Sequence, residues 1–339
     1  MAGRHRLQLL LLQYAPLLLF IVLLVVFGLL SGRFLTTANF VNILIQSAHV
    51  AIIAIGMTFV LLVAGVDLSV GANMYVSVAV LGLYLKGLPV VASFPITALV
   101  GILFGAVNAL IITELRVAAF ITTLATMFVG RGLALYMSST KMVGFNDQIL
   151  ALGRTSYLGI PYAIWAFALV FLIAFVVLRE TPFGRQIYAV GADPEAATKA
   201  GIDVQRIVFS VYCICGLCAA IGGVVSASQV AVASSTFGYQ KEFAVIAAAV
   251  LGGTSLFGGR GGVLGTVFGA VLIQTVESGL VMTNADPYLY PLVISVIIFL
   301  AVLVDSLRTG LLERLERRQI RVEPASDERR GFFARLSAR

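Results

Sequence analysis

Few residues in this sequence could do chemistry, and their spacing narrows what that chemistry could be. The 339 residues include two histidines, His5 and His49, and three cysteines, Cys213, Cys215 and Cys218. Neither histidine is placed beside a Ser, Cys or Asp as a nucleophile's base would be, so a hydrolase has no visible parts. The cysteines share one apolar run. At about 100° per residue they do not share a helix face, so they read as small core hydrophobes and not as metal ligands. The four lysines, Lys86, Lys141, Lys199 and Lys241, are each followed by a residue other than Ser or Thr. The Gly-rich stretch GGTSLFGGRGG carries Arg260 but no Lys, so the phosphate-cradling loop of an ATPase is missing. Its glycines Gly252, Gly253, Gly258 and Gly259 read as a tight inner turn where two spans approach closely.

The remaining candidates are polar residues set in apolar surroundings. Asp67 lies in GVDLSVG, flanked by Gly65 and Gly71. Two readings stay open. Asp67 or Ser69 caps the helix that follows, or it caps that helix and also acts at a broken helix beside a transport pathway. Arg131 interrupts an apolar run, where a charge either snorkels to the interface, pairs structurally or marks function. Glu277, near the outer end of another run, reads either as a structural partner or as lining a polar vestibule. Asn73, Asn108, Thr122, Thr123 and Gln274 each read as interhelical hydrogen-bonding residues. Together they mark spans that face other spans or water and not lipid alone. Asp67, Ser69, Asn73, Thr122, Thr123 and Arg131 form the candidate pathway set.

The composition defines the elements that must hold these residues. The chain is 60% hydrophobic and 12% charged, with a mean hydropathy of +1.03. A soluble domain carries about 25% charged and about 45–50% apolar residues. A soluble enzyme, a nucleic-acid-binding domain and a disordered chain are thereby excluded. The net charge of +7 reflects basic cytoplasmic loops in a membrane protein. A spanning helix needs about 20 apolar residues. Ten runs approach this length: Leu7–Leu30, Gln46–Ala64, Ser69–Leu85, Leu88–Thr113, Val117–Met137, Ile160–Leu178, Ile207–Val230, Phe243–Phe257, Gly262–Met282 and Pro287–Val304. The expected fold is an all-α membrane protein, a polytopic bundle of about ten transmembrane helices. The first run exceeds the about 7–15 residues of a signal h-region and lacks a cleavage site, so it reads as a retained span. A short helix at the outer interface is expected within Ser31–Ile45.

With both termini cytoplasmic, inner segments hold 17 of the 23 Lys and Arg residues, nine of them in the C-terminal tail, and outer segments hold 5. This follows the positive-inside rule. Residues 1–305 read as one transmembrane domain and 306–339 as a basic cytoplasmic tail.

The largest inner loop, 179–206, contains a second pattern. Asp193 suits an N-cap, Pro194 the first helical position and Glu195 the positive helix end; Lys199 and Gly201 suit the C-terminal end. This predicts a helix of about two turns outside the membrane, with a small-residue face of Ala196, Ala197 and Ala200. So short a helix does not persist alone in water. It must pack on this chain's inner surface or enter a partner's groove.

Four blocks, GMTFVLLVAGVDLSVG, AAFITTLATMFVGRGL, TPFGRQIYAVGADPEAATKAGI and AAVLGGTSLFGGRGGVLGTVFGA, resemble in content and order the permeases of ribose-type bacterial ABC sugar transporters. The resemblance covers nearly the whole chain. It implies a non-enzymatic, cofactor-free inner-membrane permease that forms the translocation pathway for a monosaccharide. The short helix would be the coupling helix docking on a separate ATP-binding subunit. A periplasmic sugar-binding protein would deliver the sugar, and a second permease copy or a paralogous permease would complete the pathway. The family usually has Asn where this chain has Asp193, and either residue caps. The rival readings are an ion-coupled secondary sugar transporter or channel, with Asp67 as its coupling group, and a non-transporting membrane scaffold.

Overall fold

The computed structural model describes residues 17–286, 288–297, 299, 300, 302, 303 and 306. The start of the first run and the tail expected at 307–339 lie outside the described residues. In chain order the elements are α1 (Leu17–Leu30), α2 (Thr37–Leu62), α3 (Val70–Tyr84), α4 (Val90–Thr113), α5 (Ala119–Ser138), β1 (Val143–Gly144), α6 (Asp147–Arg154), β2 (Ser156–Tyr157), β3 (Ile160–Pro161), α7 (Tyr162–Glu180), α8 (Pro182–Ala192), α9 (Pro194–Lys199), α10 (Val204–Val230), β4 (Val232–Ala233), α11 (Lys241–Leu251) and α12 (Val263–Met282). A further helical segment, described in part, begins at residue 289.

Among the described residues, six helices are long and apolar enough to cross a membrane: α2, α4, α5, α7, α10 and α12. The other expected spans differ. Helix α3 has 15 residues and α11 has 11. At about 1.5 Å per residue neither alone matches a hydrocarbon core about 30 Å thick. Helix α11 stops at Leu251 because Gly252 and Gly253 turn the chain, Gly253 at φ +88°. The segment 31–45 holds no separate interface helix. Thr36 caps α2 by accepting from the Asn39 N–H, and the apolar residues that follow continue the helix without a break.

Helix α2 is the axis of the bundle. Its most apolar stretch is 83% buried, against 17% for α7 and 22% for α4. On α4, Leu99, Leu103, Val107 and Leu110 are exposed at helical spacing, a stripe suited to lipid. Helix α10 lies against both α2 and α4. Gly101 and Gly105 of α4 sit on the backbone of Gly216 and Tyr212 of α10, leaving no room for a Cβ. Small residues at such crossings let helices pack without hydrophobic drive from water. Cys215 and Cys218 are buried in this core, as expected of small hydrophobes, and all three cysteines are free. The other departures from an all-α fold are two antiparallel pairs, β1 with β4 and β2 with β3.

The ends of the bundle are distinct. One carries α8 and α9, the C-terminus of α2 and the Gly-rich turn. The other carries the β1–β4 pair.

Candidate functional site

Three polar assemblies hold the candidate residues. The first surrounds Asp67, in the break between α2 and α3. Asp67 is buried, and its Oδ1 accepts from the Ser69 N–H at 2.8 Å and the Ser69 hydroxyl at 2.6 Å. The Asn108 amide of α4 donates to Ser69 Oγ at 2.8 Å, and the Thr126 hydroxyl of α5 donates to Asn108 Oδ1 at 2.7 Å. Beside this chain, the Val66 carbonyl accepts from Tyr212 at 3.2 Å and Thr123 at 3.3 Å. The break is therefore stitched to α4, α5 and α10. Asn108 stands about 8 Å along α4 from its C-terminus, so the assembly lies within the apolar depth of the bundle. One turn on, the Asn73 amide donates to Gly101 O and Gly216 O at 3.2 and 3.3 Å, tying α3 to the α4–α10 crossing. Thr122 is buried with its hydroxyl unpaired.

The second assembly lies nearer the β1–β4 end. Arg131 donates from one guanidinium nitrogen to Phe237 O at 3.0 Å, and its guanidinium lies 5.3 Å from the Tyr239 ring centroid. It neither reaches the interface freely nor pairs with a carboxylate. Its other terminal nitrogen is buried without a partner, as is Oε2 of Glu242. Glu242 was missed in the sequence because Lys241 and Glu242 precede the eighth apolar run and look like its polar flank. Glu277 lies near enough to Tyr290 to interact with it electrostatically.

The third assembly is the α8–α9 loop. Asp193 accepts from the Glu195 and Ala196 N–H groups at 2.9 and 3.0 Å, with Pro194 at the first position. At the other end Gly201 adopts φ +84°, its N–H reaches Thr198 O, and the Ile202 N–H reaches Ala197 O. This is the Schellman closure that glycine favours. Glu195 and Lys199 form an exposed i,i+4 pair at 4.0 Å. Ala196 and Ala200 face outward, whereas Ala197 is buried against this chain. The exposed small-residue face is thus narrower than the sequence suggested.

Helix α8 was read as loop. Its signal was present: Thr181 accepts from the Gly184 N–H, Pro182 starts the helix, and Gly184, Ile187, Val190 and Gly191 form a buried stripe. Gly191 rests on Leu62 O at the end of α2, which also accepts from the Gly259 N–H at 2.9 Å. Gly258 (φ +84°) faces Gly191 O, Gly259 (φ +68°) faces Ala192, and Tyr188 donates to Gly261 O at 2.9 Å. The turn thus clasps α8 and the end of α2 as well as making the close approach expected of it, at Gly252 against Gly265. Among the described residues, no group of three or more His, Cys, Asp or Glu could hold a metal.

A bundle of apolar helices with polar breaks and one capped surface helix is the build of a membrane permease. A family profile described as branched-chain amino acid transport system / permease component matches residues 39–303. The chain belongs to that family: it is a multi-pass membrane permease, a transport subunit and not an enzyme. Within the family it is 36% identical over 292 residues to the ribose import permease of Haemophilus influenzae, covering 84% of this chain and 90% of that one. It is 38% identical over 297 residues to the ribose import permease of Bacillus subtilis, covering 86% and 92%. It is 35% identical over 299 residues to the D-allose transport system permease of Escherichia coli, covering 87% and 92%. The match is thus to the ribose-type permeases named by the sequence blocks. No solved structure matches the chain.

Proposed function

We propose that this chain is the membrane-spanning subunit of an ABC importer for a monosaccharide of the ribose, allose, fructose or galactose class. The carrying observation is the α8–α9 loop: a capped helix with exposed Ala196 and Ala200, seated through Gly191 on α2 and the Gly-rich turn. In this reading α9 docks on a separate cytoplasmic ATP-binding subunit, with Asp193, Pro194, Glu195, Lys199 and Gly201 fixing its shape and Ala197 anchoring it. Closure of the ATPases moves α8. Gly191 passes that movement to the end of α2, from which the chain runs straight into the Asp67 break. A periplasmic sugar-binding protein delivers the sugar at the β1–β4 end. A second permease, identical or paralogous, completes the pathway in the inner membrane. The ten-crossing topology with cytoplasmic termini belongs to the same reading. Short α3 and α11, with the irregular segments beside them, then act as interrupted crossings.

An ion-coupled transporter would need Asp67 to bind and release its ion through an open path. The carboxylate is instead buried under two hydrogen bonds from Ser69, which favours the coupled-ATPase reading. The test is reconstitution with the ATPase and binding protein and uptake of labelled D-ribose, D-allose, D-fructose and D-galactose. ATP-dependent uptake of at least one is expected. Uptake of none, or uptake that persists without ATP, overturns the reading.

A further inference from the structure

Buried charges are costly unless paired, and Arg131 and Glu242 are close enough to interact electrostatically yet form no ion pair and no hydrogen bond with each other. Each keeps an unpartnered polar atom under cover: a guanidinium nitrogen with donors to spare, and a carboxylate oxygen that can accept. Glu242 is only 4% exposed. The arrangement is built. Gly71, in the first turn of α3, lies directly beneath Gly238 O, and a Cβ there would come within 2.5 Å of Glu242 Oε2. Phe237 is buried beside Tyr75, ring centroids 6.2 Å apart, which holds its carbonyl toward Arg131. Gly238 and Gln240 both take positive φ, +69° and +59°, and bring the chain round to place Glu242 in the first turn of α11. Tyr239, by contrast, is 60% exposed, with its ring against the guanidinium. Arg131 stands about 18 Å along α5 from Ala119 and about 10 Å from Ser138, inside the bundle rather than at its rim.

We propose that Arg131, Glu242 and Tyr239 form a subsite that takes two neighbouring hydroxyl groups of a neutral sugar on its way through the permease. The free guanidinium N–H groups donate to one hydroxyl oxygen, and Glu242 Oε2 accepts from the other. The Tyr239 ring covers an apolar face of the sugar. One positive and one negative group leave the subsite neutral overall, which suits an uncharged polyol better than a phosphate or a carboxylate. The assignment rests on the sugar-importer reading.

The test uses the intact importer, with permease, ATPase and binding protein, in lipid nanodiscs for ATP hydrolysis and in proteoliposomes for uptake. Wild type is first matched to whichever of labelled D-ribose, D-allose, D-fructose or D-galactose it moves, with labelled L-leucine as the contrasting zwitterion. If no sugar moves, or only leucine does, the importer reading falls and the hydroxyl assignment with it. If a sugar moves, Glu242→Gln and Tyr239→Leu are compared with wild type for sugar moved per ATP. Glu242→Gln, which keeps an acceptor but loses its charge, is expected to lower this ratio several-fold, and Tyr239→Leu, which removes the ring, to lower it about fivefold, while hydrolysis stimulated by the loaded binding protein is retained. Tyr239→Phe, which keeps the ring, should stay near wild type. An unchanged ratio in both variants overturns the subsite and leaves the importer reading standing. Should Glu242→Gln fail to assemble, Tyr239→Leu decides alone, because its exposed side chain carries no part of the core.

Discussion

Asp67, in the break between α2 and α3, and Arg131, on α5, are acidic and basic intruders in apolar surroundings, yet their surroundings differ in kind. Around Asp67 the chain of donors and acceptors closes: Ser69, Asn108 and Thr126 each find a partner, and none of their side-chain atoms is buried without one. Around Arg131 the chain stays open at a guanidinium nitrogen and a carboxylate oxygen. A closed network holds one geometry because each member orients the next, whereas an open one keeps the cost of desolvation without its recompense. An unsatisfied buried polar group in a native structure calls for a physical reason, and an external partner is one. In the subsite proposed above, the contrast separates a structural Asp67 from a recognising Arg131, although the sequence offers both as candidate pathway residues on equal terms.

The sharpest way to break the contrast is Asp67→Ala. It removes the acceptor for both the Ser69 N–H and the Ser69 hydroxyl, and each orphaned buried donor costs about 1–3 kcal/mol. We expect a loss of at least about 2 kcal/mol, read by denaturant unfolding in detergent micelles, whereas Asp67→Asn keeps an acceptor and most of both stability and uptake. If Asn abolished uptake in a fully stable protein, Asp67 would be a proton carrier after all. Next in size is Asn108→Ala, expected to cost about 1–2 kcal/mol. In a double-mutant cycle with Thr126→Val it should show a coupling of at least about 0.5 kcal/mol, as residues of one network do. Additive effects would mean the network is not closed.

At the open cluster the expectation reverses. Glu242→Gln takes away a buried charge whose Oε2 lacks a partner, so stability should change by less than about 1 kcal/mol or rise. A stability loss as large as that of Asp67→Ala would show that Arg131 and Glu242 complete each other in the folded protein, and the distinction would collapse.

Much of this was legible in the sequence. Six of the apolar runs locate α2, α4, α5, α7, α10 and α12, and the Asp193–Gly201 spacing locates α9, because caps are local and residue-specific. The GVDLSVG motif announced a break but not its form: Ser69, at the N-cap of α3, makes no side-chain capping bond, and Asp67 accepts from Ser69 instead of capping the helix. What stayed hidden depends on distance or on a mixed signal. Arg131 and Glu242 are brought together only by the path of 234–240, and no spacing rule connects them. Helix α8 has an interrupted stripe in which Gly184 and Gly191 are buried yet contribute no hydrophobic mark, so its periodicity was faint. The short interface helix expected within 31–45 is instead the start of α2, entered through a turn where the Asn39 amide donates to Phe34 O at 2.8 Å.

The smallest expected effect sharpens the comparison from a third direction. The Asp193 cap is as fully bonded as the Asp67 network, but it stands in solvent. Water can replace its hydrogen bonds, so closure there should be worth less than closure in the core. Asp193→Asn keeps an oxygen in the same place and should alter neither uptake nor stability beyond a few tenths of a kcal/mol, since Asn and Asp cap about equally. Asp193→Ala should cost about 1 kcal/mol. Because α9 is one short helix, that cost falls on the loop and not on the bundle. It would appear as an about fivefold weaker capture of the ATP-binding subunit, with the unfolding of the membrane domain unchanged. Equal losses from Asp193→Ala and Asp67→Ala would mean that burial is not what separates them. The value of a closed network would then lie in its hydrogen bonds alone.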